Sequence, residues 1–238
     1  MQTEGSDLMV AAPVAGALRG LWYDRHFSPW TFEFVRSPTT LEAAAKRCVD
    51  LVVSLLALLL TVPILLVAAA LIWLTSPGGV LFVQRRVGLH GEEFFIYKLR
   101  TMVADADRQE TELVSTAEST FLKVQNDPRV TPVGRVLRKL SIDELPQLVN
   151  VLRGEMSLVG PRPLVPTEVL KMPRAARQRR FAVKPGITGL WQVSGRSACS
   201  DEDRIRLDHE YVERWTPLLD LQILVWTIPA VLAMRGAS

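Results

Sequence analysis

The pattern of apolar and polar positions is dominated by one run without charge, Leu51 to Leu74, 24 positions long. About 20 apolar residues suffice for a helix to cross a bilayer, so a transmembrane helix is the default expectation. Two features oppose it. Pro63 lies at the midpoint, and an internal proline removes one backbone hydrogen bond and crowds the preceding turn. The flanks are basic on both sides, Lys46 and Arg47 before, Arg85 and Arg86 after; basic flanks mark the cytoplasmic side. The halves 51–62 and 64–74 are each too short to span. A spanning helix and a helix-break-helix that enters and leaves by one face both satisfy this pattern. At the break, Ser54, Thr61 or a neighbouring element would satisfy the freed backbone group.

Beyond the apolar run the pattern changes period. Val80 to Met102 alternates as two strands around a turn at Gly88–Gly91. Period-two spacing places Lys98 and Arg100 on one face of the second strand. Ala104 to Val114 is polar and reads as helix. Thr131 followed by Pro132 marks a helix start, with Arg135, Arg138 and Lys139 at helical spacing. The next segment, "KLSIDELPQLVNVLRGE", is apolar at Leu145, Leu148, Val149 and Leu152, which buries one face. Leu158 to Pro166 holds three prolines and a glycine and reads as a stiff irregular loop around Arg162. Lys184 to Arg196 reads as a second rigid, glycine-rich loop. Helices follow over Asp201–Arg214 and Pro217–Met234. The last is too short, and too broken by Pro229, to span, so it lies flat on a bilayer or packs in the core.

Composition narrows the class. The 238 residues suffice for one sizeable domain. Two cysteines, Cys48 and Cys199, make neither a disulfide framework nor a metal cluster. The net charge of +3 conceals basic blocks at 129–139 and 171–184, which suit phosphates, anionic head groups or nucleic acid, or simply a solvated surface. Residues 1–45 form an N-terminal extension rich in aromatics, which suit a membrane interface or a small core equally.

The candidate chemistry centres on Asp143-Glu144. Ser141 with Glu144 three residues on matches a capping box, although Pro146 fits better if Asp143 is the cap. Either way, two carboxylates crowd a helix N-terminus, whose partial charge favours their ionised forms. Adjacent helical residues diverge by about 100° and can flank one metal ion. Lys98, Arg100, Arg162 and Arg196 supply cations from separate rigid elements, and arginine suits phosphate oxygens. Acids, a metal and cations together suggest phosphoryl transfer through a carboxylate nucleophile. No histidine shows ligand spacing.

These residues carry a resemblance. Lys46-Arg47 with Asp50, Pro63, Ser76-Pro77-Gly78, Tyr97 to Met102, Ser141 to Leu145, Met156 to Pro163 and Lys184 to Arg196 together resemble the bacterial monotopic phosphoglycosyl transferases, which act on polyprenyl phosphate. The resemblance implies an α+β monotopic membrane protein: a re-entrant helix broken at Pro63 over 46–75, then a catalytic domain over 76–238 with a small β-hairpin and amphipathic interface helices. It implies transfer of a sugar 1-phosphate from a UDP-sugar to undecaprenyl phosphate, with release of UMP, at the cytoplasmic face of the inner membrane. Mg²⁺ is the implied cofactor, with Asp143 and Glu144 as its partners. Asp143 is the implied nucleophile and carrier of a covalent phosphosugar; Lys98, Arg100, Arg162 and Arg196 bind the phosphates and nucleotide. Membrane lipids are partners, nucleic acid is not, and homo-oligomers are compatible. Leu190 to Arg196 resembles the branch transferring hexose 1-phosphates such as glucose or galactose, for exopolysaccharide assembly. Val62, where the family often has serine, is a departure.

Overall fold

The computed structural model describes residues 38–104, 106, 127–194 and 200–232. The extension up to residue 37, most of the helix expected over 104–114, and Arg196 lie outside the described residues.

The apolar run forms the core of α1, Thr40–Thr75, which is helical throughout. It starts six residues before the expected boundary because Thr39 and Glu42 close a capping box: Thr39 Oγ1 accepts from Glu42 N at 3.2 Å and Glu42 Oε2 accepts from Thr39 N at 2.9 Å. Pro63 lies inside the helix rather than between two helices. Helical hydrogen bonding resumes beyond it, since proline costs a single donor. Neither residue expected to satisfy the freed carbonyl of Leu59 does so. Thr61 Oγ1 donates to Ala57 O at 2.7 Å and to Leu58 O at 3.3 Å, the back-bonding that bends helices. Ser54 Oγ is buried without a hydrogen-bond partner among the described residues.

One narrow face of α1 is covered along its length. Asp50, Ser54, Ala68 and Ile72 are buried, and Ala57, Leu58 and Leu65 pack against the apolar cores. This three-and-four spacing defines one helical stripe. The remaining faces expose leucine and valine, 80 % for Leu41 and 77 % for Leu60. Among the described helices, α1 is the one long and apolar enough to cross a membrane.

β1 (Leu81–Val87) and β2 (Glu93–Leu99) pair antiparallel with Leu81 opposite Leu99, as the alternation predicts. The turn holds a short 3-10 stretch in which His90 has φ +55°. α2 (Pro132–Lys139) begins at the expected Thr131 cap, whose Oγ1 accepts from Gly134 N at 2.9 Å. Gly134 has no room for a side chain: a Cβ there would lie 2.0 Å from Thr101 O.

A 3-10 segment (Ile142–Gln147) leads into α3 (Leu148–Arg153), which ends at Gly154 with φ +85°. Then come β3 (Ser157–Val159), α4 (Pro166–Lys171), α5 (Arg174–Arg180), β4 (Gly186–Thr188), α6 (Leu190–Ser194), α7 (Asp201–Arg214) and α8 (Pro217–Leu232). The two stretches expected to be irregular loops instead contribute β3 and β4, which pair in parallel. Glycines make this contact possible: a Cβ on Gly186 would lie 2.1 Å from Gly160 N. Beneath them Val151, Met156, Val159, Tyr211 and Ile223 form the main core.

Charged residues tie α1 to this body. Lys46 Nζ lies 2.5 Å from Asp220 Oδ2 on α8. Asp220 also accepts from Tyr211 Oη at 2.8 Å and from Trp215 Nε1 at 3.1 Å. Asp50 Oδ1 accepts from Ser157 Oγ at 3.0 Å and Leu158 N at 2.9 Å. At the far end, Arg100 Nη2 donates to Ser76 O at 2.7 Å.

Candidate active site

Asp143 and Glu144 sit on the first turn of the 3-10 segment. Ser141, the expected cap, adopts φ +56° and makes no capping hydrogen bond with its side chain. No capping box forms there, and Asp143 falls inside the segment rather than capping it. The left-handed residue reverses the chain after α2 and turns both acids inward. Pro146 is tolerated because the 3-10 segment gives way to α3 immediately after it.

Glu144 is held by two cations. Lys98 Nζ from β2 lies 2.9 Å and Arg162 Nη1 from the proline-rich loop 3.1 Å from the same Oε1. Burial alone would raise the Glu144 pKa; Lys98 and Arg162 overcome it and hold the carboxyl well below its usual range. The charge of Glu144 in turn raises the Arg162 pKa. Lys98 is lowered, chiefly by burial, with Glu144 opposing.

Asp143 behaves oppositely. It is 7 % exposed. Burial first, and the charge of Glu144 second, raise its pKa, while Lys98, Arg138 and Arg162 pull the other way. The result is a desolvated carboxylate without an ion pair of its own among the described residues, ringed by cations at longer range.

The structure therefore joins Lys98, Asp143, Glu144 and Arg162. It does not bring Arg100 to the carboxylates. Arg100 lies one residue beyond β2 and reaches the turn after α1, where a Cβ on Gly78 would lie 2.3 Å from Arg100 Nη1.

Three arginines escaped the sequence reading of the site. Arg86 shares the Lys98 face of the hairpin: it pairs with Phe94 across the ladder, as Lys98 pairs with Phe82. It donates to Pro163 O at 3.1 Å, bracing the Arg162 loop, and its charge lowers the Lys98 pKa. Arg138 on α2 donates to Thr101 Oγ1 at 2.9 Å. Burial lowers its pKa and the charge of Asp143 opposes this. Arg180, buried against Asp208, donates to the backbone carbonyl of Arg162 and fixes that loop from behind. Strand register would have flagged Arg86; the other two depend on tertiary contacts.

The described residues hold no cluster of three or more potential metal ligands. Two adjacent carboxylates suit Mg²⁺, which takes one or two protein carboxylates and completes its shell with substrate phosphates and water. The raised proton affinity of Asp143 marks a negative charge that a cation would relieve.

The bacterial sugar transferase family matches residues 41–234. The chain belongs to this family. The exopolysaccharide production protein ExoY of Sinorhizobium fredii is 43 % identical over 199 residues, 81 % of this chain and 88 % of that protein. ExoY of Rhizobium meliloti is 44 % identical with the same coverage. The undecaprenyl-phosphate galactose phosphotransferase of Salmonella typhimurium is 42 % identical over 202 residues, 81 % of this chain and 41 % of that longer protein. This bacterial sugar transferase is an enzyme of phosphoglycosyl transfer, and its exposed apolar helix makes it membrane-associated.

Proposed function

We propose that this sugar transferase moves a hexose 1-phosphate, galactose or glucose, from a UDP-sugar to undecaprenyl phosphate through a covalent phosphosugar on Asp143. The observation that carries this reading is the split pair: a buried Asp143 without an ion pair among the described residues, beside a Glu144 locked by Lys98 and Arg162. The Salmonella relative, named for galactose and undecaprenyl phosphate, supports the substrate pair. The two ExoY relatives support a place in exopolysaccharide assembly.

In the first step an Asp143 carboxylate oxygen attacks the β-phosphorus of the UDP-sugar. The bond from that phosphorus to the oxygen bridging the α-phosphate breaks, and UMP leaves with the electron pair. In the second step an oxygen of undecaprenyl phosphate attacks the same phosphorus. The Asp143–phosphorus bond breaks, which regenerates the carboxylate and gives the diphospho-sugar lipid. Lys98 and Arg162, already oriented by Glu144, with Arg138 nearby, meet the negative charge on the phosphoryl oxygens. Mg²⁺ held by Asp143 and Glu144 would neutralise phosphate charge when bound.

Desolvation makes Asp143 a stronger nucleophile but also favours its protonated form. Lys98, Arg138 and Arg162 oppose that shift.

The membrane reading is that α1 is re-entrant, with the catalytic domain on the cytoplasmic face of the inner membrane. Lys46 and Ile72 lie about 39 Å apart along a straight helix at 1.5 Å per residue, against a hydrocarbon layer of about 30 Å. Yet Lys46 bonds to α8, and Ile72 packs with Leu99 and Leu137 in the same body. A helix that delivered its ends to opposite sides of a bilayer could not keep both on one polar domain. Outward-facing Leu218, Leu221, Val225, Ile228 and Leu232 of α8 suit the same interface.

A glycosyltransferase acting on the same substrates would release UDP. The test is purified enzyme with UDP-galactose, UDP-glucose and acetamido analogues, undecaprenyl phosphate and Mg²⁺. UMP as the nucleotide product supports the proposal; UDP refutes it.

A further inference from the structure

A second group of cations lies at the C-terminal end of α3. Arg47 is one turn before Leu51, where the apolar run of α1 begins. Its Nη1 and Nη2 donate to Val151 O at 2.6 Å and Leu152 O at 2.9 Å, the last carbonyls of α3. These are neutral acceptors, so no carboxylate meets the Arg47 charge among the described residues. Lys184, from the loop before β4, is half-buried and has no hydrogen bond or ion pair among the described residues. Burial first and the charge of Arg47 second lower its pKa.

The two acids nearby are committed elsewhere: Asp50 to Ser157 and the backbone of Leu158, Asp220 to Lys46, Tyr211 and Trp215. The two cations converge beside Gly154. A Cβ on Gly154 would lie 3.5 Å from Arg47 Nη2 and 3.6 Å from Lys184 Nζ. The glycine serves the left-handed end of α3, and both positive groups border it. The two charged groups therefore lie within about 7 Å of each other, a separation that two oxygens of one phosphate can bridge. Val49 and Val52, on the turns around Arg47, are 47 % and 52 % exposed.

We propose that Arg47 and Lys184 form a binding site for the phosphate of an anionic glycerophospholipid, such as phosphatidylglycerol, at the membrane surface where α1 begins its apolar run. A phosphodiester offers oxygens to the guanidinium fork and the ammonium together, and its acyl chains would lie along the exposed side chains of α1. The phosphate would also restore a counter-charge to Lys184. This inference rests on the membrane reading of α1 given above.

The test is native mass spectrometry of the full chain in detergent with phosphatidylglycerol and phosphatidylcholine of identical acyl chains. Phosphatidylglycerol should be retained preferentially. Lys184→Gln should reduce that preference about fivefold, the worth of one basic residue at an anionic surface. Lys184→Arg, which keeps the charge, should retain it. Millimolar inorganic phosphate should leave the lipid adduct in place. Equal retention of the two lipids overturns the inference, as does an unchanged preference in Lys184→Gln or equal loss in both variants. Displacement by inorganic phosphate, or stronger retention of polyprenyl phosphate at Lys184, overturns the choice of ligand. Retention of neither lipid refutes the membrane reading itself.

Discussion

Asp143 and Glu144 are chain neighbours with opposite proton affinities. Glu144 Oε1 receives Lys98 at 2.9 Å and Arg162 at 3.1 Å and is held ionised. Asp143 is buried beside that negative charge and is pushed toward its neutral form. One carboxylate organises the cations while the other remains available to react.

This asymmetry sets the pH dependence. On the proposed mechanism Asp143 must be ionised to attack, and its pKa is raised from 3.8. The acid limb of kcat/KM for UMP release should therefore lie above that value. Glu144→Gln removes a charge that raises it and frees Lys98 and Arg162 to act on Asp143. The limb should then move to lower pH, with a reduced maximum rate. A limb that stays in place in Glu144→Gln would contradict the coupling.

The same shift makes Asp143 a burden on stability. A group whose folded pKa lies above its unfolded value favours folding when protonated. Its stabilising contribution is thus fully present below 3.8 and is lost as pH rises through the folded value. Asp143→Asn should abolish turnover while leaving the fold intact at neutral pH. Its Tm should equal that of the unaltered enzyme or exceed it by about 2–4 °C, the effect of ~1 kcal/mol in a chain of this size. Thermal unfolding in detergent measures this.

The support behind Arg162 is a buried ion pair. Arg180 is held by Asp208 and carries the Arg162 carbonyl. Asp208→Asn leaves a buried guanidinium without its counter-charge, at a cost of about 3–5 kcal/mol. Denaturant titration should show that loss. Any folded fraction should bind the UDP-sugar more weakly, because the Arg162 loop is released.

A separate network fixes α1 to α8. Asp220→Asn weakens the contact with Lys46 and disturbs those with Tyr211 and Trp215. We expect a cost of about 1–3 kcal/mol. Hydrogen exchange should rise in Pro217–Leu232 more than in β1 and β2.

The sequence showed those features whose causes are local. The hairpin followed from alternation around Gly88 and Gly91, the start of α2 from Thr131-Pro132, and the apolar run from its lack of charge. The carboxylate pair stood out once cations on stiff elements accompanied it. What stayed hidden depends on partners distant in the chain. The proline-rich and glycine-rich stretches look irregular because their pairing needs the close approach of Gly160 and Gly186. The capping-box pattern at Ser141 was misleading because Glu144 is drawn to Lys98 and Arg162, far away in sequence. Arg138 precedes Asp143 by five residues across a left-handed turn, so no helical period links them.

The most direct test is to trap the enzyme between its two steps. Purified transferase is mixed with Mg²⁺ and radiolabelled UDP-sugar without undecaprenyl phosphate, quenched and digested. The account predicts label on the peptide containing Asp143, UMP released in matching amount, and neither in Asp143→Asn. Unlabelled protein, with nucleotide released only when undecaprenyl phosphate is added, would contradict it.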